Sequence, residues 1–333
     1  MKTKPFALLK TRFGLILAAL AAVSAGLGFI LSDGYSPPTV TETDRAEALG
    51  SFAASETALA RALPAAEEFD PLPPPGPGDW LESHAEYGQT YAAFRHGYHH
   101  RPDEVRNNIY LQPISLALGN KEAFLTATQK FSVAFFGLQT AVLPEISLDE
   151  VETRSRINGD TGKRQLRAGD IMKALKRKIP ADAFCVLGIT MEDLYPGPAW
   201  NYVSGYSSYW GRTGVYSFFR FSAGFLGAGN TPDFRRDFLL RSEKLIAHEI
   251  AHMFGLRHCI YYSCLMNGVN NTAELDSHPL RLCPVCLRKL QLAAGFDIEA
   301  RYAALEALYR EQGASEEASW THKRLARIGE GAH

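Results

Sequence analysis

The chain has 333 residues, 46% of them hydrophobic and 11% aromatic, enough to bury a substantial core in one domain of ordinary size. A formal net charge of −1, with no long basic run, gives no electrostatic reason to bind nucleic acid, and that partner class is set aside.

Lys2, Lys4, Lys10 and Arg12 precede a charge-free run of nineteen residues from Phe13 to Leu31, with Asp33, Glu42 and Asp44 beyond it. Basic residues mark the cytoplasmic flank of a span, and nineteen residues approach the length that crosses a bilayer. Residues 1–31 are therefore expected to anchor the chain in a membrane as a transmembrane helix, with the remainder extracytoplasmic. The alternative is secretion after cleavage at Val23-Ser24-Ala25. Residues 32–80 read as a proline-rich linker, in which Pro37, Pro38, Pro64 and a cluster at 71–77 flank one alanine-rich helix from about Arg45 to Leu63. Asp70 and Asp79 within it are taken as solvated acids, and His96-Gly97-Tyr98-His99-His100 as surface histidines.

From 81 to 296 helical and strand patterns alternate, which suggests an α/β (α+β) catalytic domain with a mixed sheet. Phe131 to Phe136 and Ala183 to Ile189 read as buried strands, with Ala168 to Lys178 as a helix between them, a β-α-β unit. Cys185 falls inside the second run and is expected to be buried and inert. Gly214 to Phe221 is a further strand, while Trp200 and the stretch Tyr202 to Trp210 either line a cleft or fill a loop. Leu287 to Ala294, Ile298 to Gln312 and Ser315 to Ile328 look helical, so residues 297–333 form a helical C-terminal tail.

The chemistry concentrates between 248 and 286. His248 and His252 are four residues apart, so on a helix they lie one turn apart on one face and can meet at one ion. Glu249 projects roughly 100° away around the axis, as suits a general base that acts on zinc-activated water without binding the metal. Gly255 accepts the left-handed conformation that ends a helix and lets the chain turn back, making His258 a third ligand. Three neutral imidazoles leave a tetrahedral zinc one open position, the pattern of a catalytic site. Met266, eight residues beyond His258, is placed to form an apolar floor, the Met-turn.

Cys259, Cys264, Cys283 and Cys286 form a second constellation. Cys283-Pro284-Val285-Cys286 can clamp an ion from a tight turn, and the earlier pair can complete a closed, structural Cys₄ site. Two disulfides, Cys259 with Cys264 and Cys283 with Cys286, are the alternative outside the cytoplasm.

The run from His248 to Cys286 resembles the archaemetzincin family, metzincin zinc metallopeptidases of peptidase family M54, in which a cysteine follows the third histidine, then Cys-x-Met, then Cys-x-x-Cys. Phe184 to Thr190, Asp193-Leu194-Tyr195-Pro196, Trp200-Asn201 and Tyr216 to Arg220 are similar to blocks that precede the zinc helix in that family. Pro73 to Leu81 and Gly88-Gln89-Thr90 are similar to segments of its longer members, so the resemblance spans about residues 69 to 295. It implies a metzincin-type fold with a twisted mixed sheet, an active-site helix and a Met-turn. It also implies two zinc ions, one catalytic and one structural, and places the strand at Gly214 to Phe221 beside the cleft. There it is expected to be an edge that takes an extended peptide substrate by strand addition.

The function expected is hydrolysis of peptide bonds in a peptide or protein substrate, with Glu249 as general base. The rival is a non-catalytic, zinc-stabilised scaffold for a protein or peptide partner; a substitution at Glu249 would have favoured it. No side chain stands out as a second oxyanion donor, and Tyr261 and Tyr262 are near in sequence without a fixed direction.

Overall fold

The computed structural model describes residues 35–54, 56–63 and 68–330. Its strands are β1 (Asn108–Ile114), β2 (Thr140–Val142), β3 (Ser155–Ile157), β4 (Arg164–Arg167), β5 (Ala183–Thr190), β6 (Asp193–Tyr195), β7 (Gly205–Ser207) and β8 (Thr213–Ser217). The helices before the main sheet are α1 (Glu42–Leu49), α2 (Thr57–Ala62), α3 (Trp80–Ser83) and α4 (Tyr91–His96). Those that follow β1 are α5 (Lys121–Phe136), α6 (Ala168–Arg177), α7 (Ala223–Leu226), α8 (Pro232–Phe254), α9 (Thr272–Ser277), α10 (Pro284–Ala294), α11 (Ile298–Gln312) and α12 (Ser315–Glu330).

The main sheet has the order β2-β1-β5-β8-β7, parallel except for β7, which pairs antiparallel with β8. β5 lies at its centre and is buried at every position, because layers on both faces of a parallel sheet remove both sets of side chains from water. Leu187 and Ile189 join the larger core with α5, α8, α10 and α11, while Val186 joins a smaller one with α6. A second sheet, β3-β4-β6, flanks this smaller core.

Two strand expectations change. Phe131 to Phe136 is the last part of helix α5, whose buried positions Phe124, Leu125, Thr128, Phe131, Ser132, Phe135 and Phe136 recur at helical spacing up to the left-handed cap at Gly137. Six apolar residues alone hide that period, and α6 therefore joins β4 of one sheet to β5 of the other. β8 is not an edge either. The chain doubles back at Ser208–Arg212 and β7 covers it, so β7 is the outer strand.

The proline-rich stretch ahead of residue 81 is docked. It holds two short helices instead of one, and Ala48, Ala62, Leu63 and Phe69 are buried in the larger core. Arg288 of α10, 1% exposed in its side chain, fastens this stretch: Nη1 donates to the carbonyls of Leu49 and Gly50, and Nη2 to that of Ser51 and to Glu56 Oε2 at 2.9 Å. The guanidinium also lies 3.8 Å from the ring centre of Tyr91. α11 and α12 likewise pack inward through Tyr302, Leu305, Tyr309 and Ile328.

The membrane anchor is corrected. No helix among the described residues is long and apolar enough to cross a membrane, and the run 13–31 that suggested one lies outside those residues. The 23-residue α8 has the length, but Asp233, Arg235, Arg236, Asp237, Arg241, Glu243 and Lys244 break its apolar surface. The transmembrane segment and the extracytoplasmic location that depended on it are not carried further.

Candidate metal centre

α8 delivers the first two histidines. Thr231 Oγ1 caps its start by accepting from Phe234 N, Pro232 occupies the first turn, and thirteen residues at its C-terminal end and middle are buried, among them every position from Leu245 to Phe254. Gly255 ends it at φ 104°, a conformation that costs an L-residue roughly 1–2 kcal/mol. The amide of Leu256 donates back to Ala251 O and that of Gly255 to His252 O. The chain then returns His258 toward His248 and His252. The ring centroids stand 4.5, 5.0 and 5.3 Å apart, and one nitrogen of each ring lies within 4.8 Å of the others.

Hydrogen bonding decides which nitrogens face inward. His248 Nδ1 donates to Leu265 O at 2.9 Å, His252 Nδ1 to Leu256 O at 2.7 Å, and His258 Nδ1 to Glu86 Oε1 at 2.6 Å. Each Nδ1 therefore carries the proton and each Nε2 presents a lone pair. Nε2 of His248 and of His252 are 2.9 Å apart with no proton left to share, and His258 Nε2 is buried without a partner. Burial holds His248 down to about 3 and His252 well below its ordinary value, the neighbouring imidazoles adding to the effect. Converging imidazole lone pairs fit a divalent cation such as zinc.

Glu249, the next residue after His248, is 0% exposed beside β7, and neither carboxylate oxygen has a partner at hydrogen-bond distance. Burial pushes it up to about 7, opposed by Ser207 and His258. A Cβ on Gly205 of β7 would come 2.1 Å from Glu249 Oε1, so the strand can pass only because this residue is glycine.

Met266 is fully buried next to Leu265, whose carbonyl accepts from His248, in a turn closed by Cys259 N donating to Met266 O at 2.8 Å. Asn267 locks the turn: its Nδ2 donates to the carbonyls of Cys259 and Tyr262, and its Oδ1 accepts from Cys264 N. The four thiols of Cys259, Cys264, Cys283 and Cys286 meet directly behind it, buried, with sulfur atoms within 4.8 Å of one another. Cys283 caps α10, and backbone N–H groups of Met266, Cys283 and Cys286 point at the sulfurs of Cys264, Cys264 and Cys283. No disulfide joins these cysteines, and the four sulfurs converge as one group instead of pairing as Cys259 with Cys264 and Cys283 with Cys286; Cys185 is buried in β5 with its thiol pushed up by burial.

Among the described residues the ligand-type side chains converge in these two groups, so neither Asp70, Asp79 nor the histidines at 96–100 join a metal site. Asp79 Oδ2 accepts from Gly76 N, and His99 Nδ1 lies 3.1 Å from Gly97 O. Of the aromatic stretch, Tyr209 stacks edge-on against His252 at 5.2 Å, whereas Trp210 is exposed against Tyr98. Tyr261 and Tyr262 are buried on the cysteine side. Sequence reasoning missed Gln89, whose Nε2 donates to Gly255 O while its Oε1 accepts from Arg257 N and Lys289 Nζ, bracketing the turn that returns His258. It also missed Glu86. The signal was nearby, since Glu86 lies between the segments Pro73 to Leu81 and Gly88 to Thr90.

The profile of peptidase family M54 matches residues 132–292. Archaemetzincin-2 of Macaca fascicularis is 38% identical over 270 residues, covering 73% of this chain and 75% of that protein. Archaemetzincin-2 of Homo sapiens is 39% identical with the same coverage, and human archaemetzincin-1 is 34% identical over 68% of this chain and 51% of that protein. Among solved structures, the archaemetzincin of Methanopyrus kandleri is 24% identical with a TM-score of 0.46, covering 59% of this chain and 99% of that one. At 38–39% identity over 73% of this chain and 75% of archaemetzincin-2, the chain belongs to the archaemetzincins of peptidase family M54 and is a zinc metallopeptidase.

Proposed function

We propose that the chain hydrolyses peptide bonds at a zinc ion held by His248, His252 and His258, with Glu249 as the general base. The observation that carries this reading is the Glu249 carboxylate, buried and without a hydrogen-bond partner on either oxygen, one residue past His248 and close enough to His258 to interact with it electrostatically, while the three imidazoles converge. Zinc bound there supplies Lewis acidity toward a water and a substrate carbonyl. Glu249 takes the proton that the attacking water loses and passes it to the leaving amine nitrogen. Its burial favours this exchange, because a carboxylate without fixed hydrogen bonds is free to hold the proton between the two steps. β7, the outer strand, runs past Glu249 at Gly205 and offers its free edge to an extended peptide.

We assign a second, structural zinc to Cys259, Cys264, Cys283 and Cys286. The convergence of four buried sulfurs within 4.8 Å, with backbone N–H groups aimed at them, supports this reading; burial alone holds Cys264 and Cys283 protonated, so a bound dication is what would make them thiolates. Such a centre joins the segment after His258 to α10 and fixes the Met266 turn between them.

The test is cleavage of a diverse peptide library by wild type and Glu249→Gln. Cleavage is expected to fall by about 10²–10⁴-fold in the variant while its zinc content stays at the wild-type level. Equal turnover in both would remove Glu249 from the mechanism.

A further inference from the structure

His258 differs from the other two histidines in how it is held. His248 and His252 ride on α8 and hydrogen bond to main-chain carbonyls, whereas His258 lies beyond Gly255 and its Nδ1 bonds to a side chain, Glu86. Glu86 lies outside the matched residues 132–292, in the loop between α3 and α4. Its Oε1 also accepts from Trp80 Nε1 at 3.0 Å. Trp80 is itself immobilised: 1% exposed, stacked on His84 at 3.7 Å, edge-on to His258 at 5.1 Å, its amide donating to Glu274 Oε1. Gly268, two residues past Met266, lies under the indole, where a Cβ would fall 2.3 Å from Trp80 Cδ1. The chain from Trp80 through Glu86 to His258 is thus clamped against the Met266 turn.

We propose that Glu86 is a positioning residue for the third ligand: its carboxylate fixes the His258 tautomer, aims Nε2 at the other two imidazoles and strengthens it as a donor to zinc. The proposal rests on the reading of the histidine group as a zinc site. A carboxylate behind a ligating imidazole typically changes metal affinity without touching the metal, so the segment before the matched residues completes the centre.

The experiment measures the zinc dissociation constant of the histidine centre, by competition with a chromophoric chelator, in the full chain as wild type, Glu86→Gln, Glu86→Ala and Trp80→Phe. Glu86→Ala is expected to bind zinc about 10–100-fold more weakly. Glu86→Gln is expected to recover most of that loss, because its amide oxygen still accepts from Nδ1–H. Trp80→Phe, which keeps a ring but loses the N–H that steadies Glu86, is expected to show a smaller loss, and reports on the clamp if Glu86→Ala does not fold. Wild-type affinity in both Glu86→Ala and Trp80→Phe would overturn the proposal, as would Glu86→Gln as weak as Glu86→Ala. Zinc content unchanged by His252→Ala would instead overturn the zinc-site reading itself, a result distinct from variants that bind alike.

Discussion

Two buried glutamates on α8, six residues apart, do opposite things. Glu249 has no partner at hydrogen-bond distance and follows directly on His248 of the histidine group; Glu243, also 0% exposed, accepts from Gln312 Nε2 at 2.6 Å and leaves Oε2 unpartnered. Burial raises the Glu243 carboxyl well above its ordinary 4.5, the Gln312 contact opposing the shift only in part. The folded chain therefore keeps a proton that the unfolded chain gives up, and stability from this group is fully present below about pH 4.5 and lost as pH rises toward the folded value. Glu243→Gln keeps the acceptor for Gln312 and removes the titration. Melting temperatures of the two proteins are expected to coincide near pH 4.5 and to diverge as pH rises, the variant gaining on the order of 1–3 kcal/mol by pH 8. A constant difference across that range would mean that Glu243 does not titrate between the two states. The convergence of the three histidines was legible in the sequence because it follows from helix spacing and one glycine. Glu86, Gln89 and Asn267 were not, since each acts through a contact between segments distant in sequence or through the detailed path of a turn.

At the scale of elements, legibility followed period and length. α11 begins and ends where its apolar spacing predicts, and Ala168 to Lys178 and Ala183 to Ile189 needed only small changes at their ends. The six-residue aromatic run in α5 failed because its period shows only when the ten residues before it are included. β8 lost its edge position to β7, a three-residue strand rich in small residues that gives almost no pattern of its own. The docked stretch ahead of α3 was hidden differently. Prolines and exposed alanines resemble a spacer, and what holds it is Arg288, a buried cation 237 residues from one of its partners. Removing one side of a buried, charge-assisted network costs roughly 3–5 kcal/mol. Arg288→Ala is thus expected to lower stability by about that amount and to expose residues 42–63 to limited proteolysis before the rest of the chain unfolds. Cleavage at the wild-type rate, or stability within about 0.5 kcal/mol of it, would show that this stretch docks without Arg288.

For the whole molecule, the two ligand clusters lie on either side of one turn. His248 bonds to the Leu265 carbonyl and Met266 N to the Cys264 sulfur, so the α8 end, the His258 return and the α10 start are tied through the one turn that carries Met266 and Asn267. All seven candidate ligands are named by sequence spacing, and the structure brings them together as two groups, the four sulfurs converging instead of pairing. The sequence also suggested a membrane anchor that no described helix supports. The most direct measurement is zinc per chain by elemental analysis, on the full-length wild type and His252→Ala side by side. Two zinc ions in the wild type and one in the variant are predicted, the cysteine centre surviving the loss of the other. A single zinc in the wild type, or equal content in both proteins, would contradict a histidine-bound catalytic zinc distinct from the one behind it.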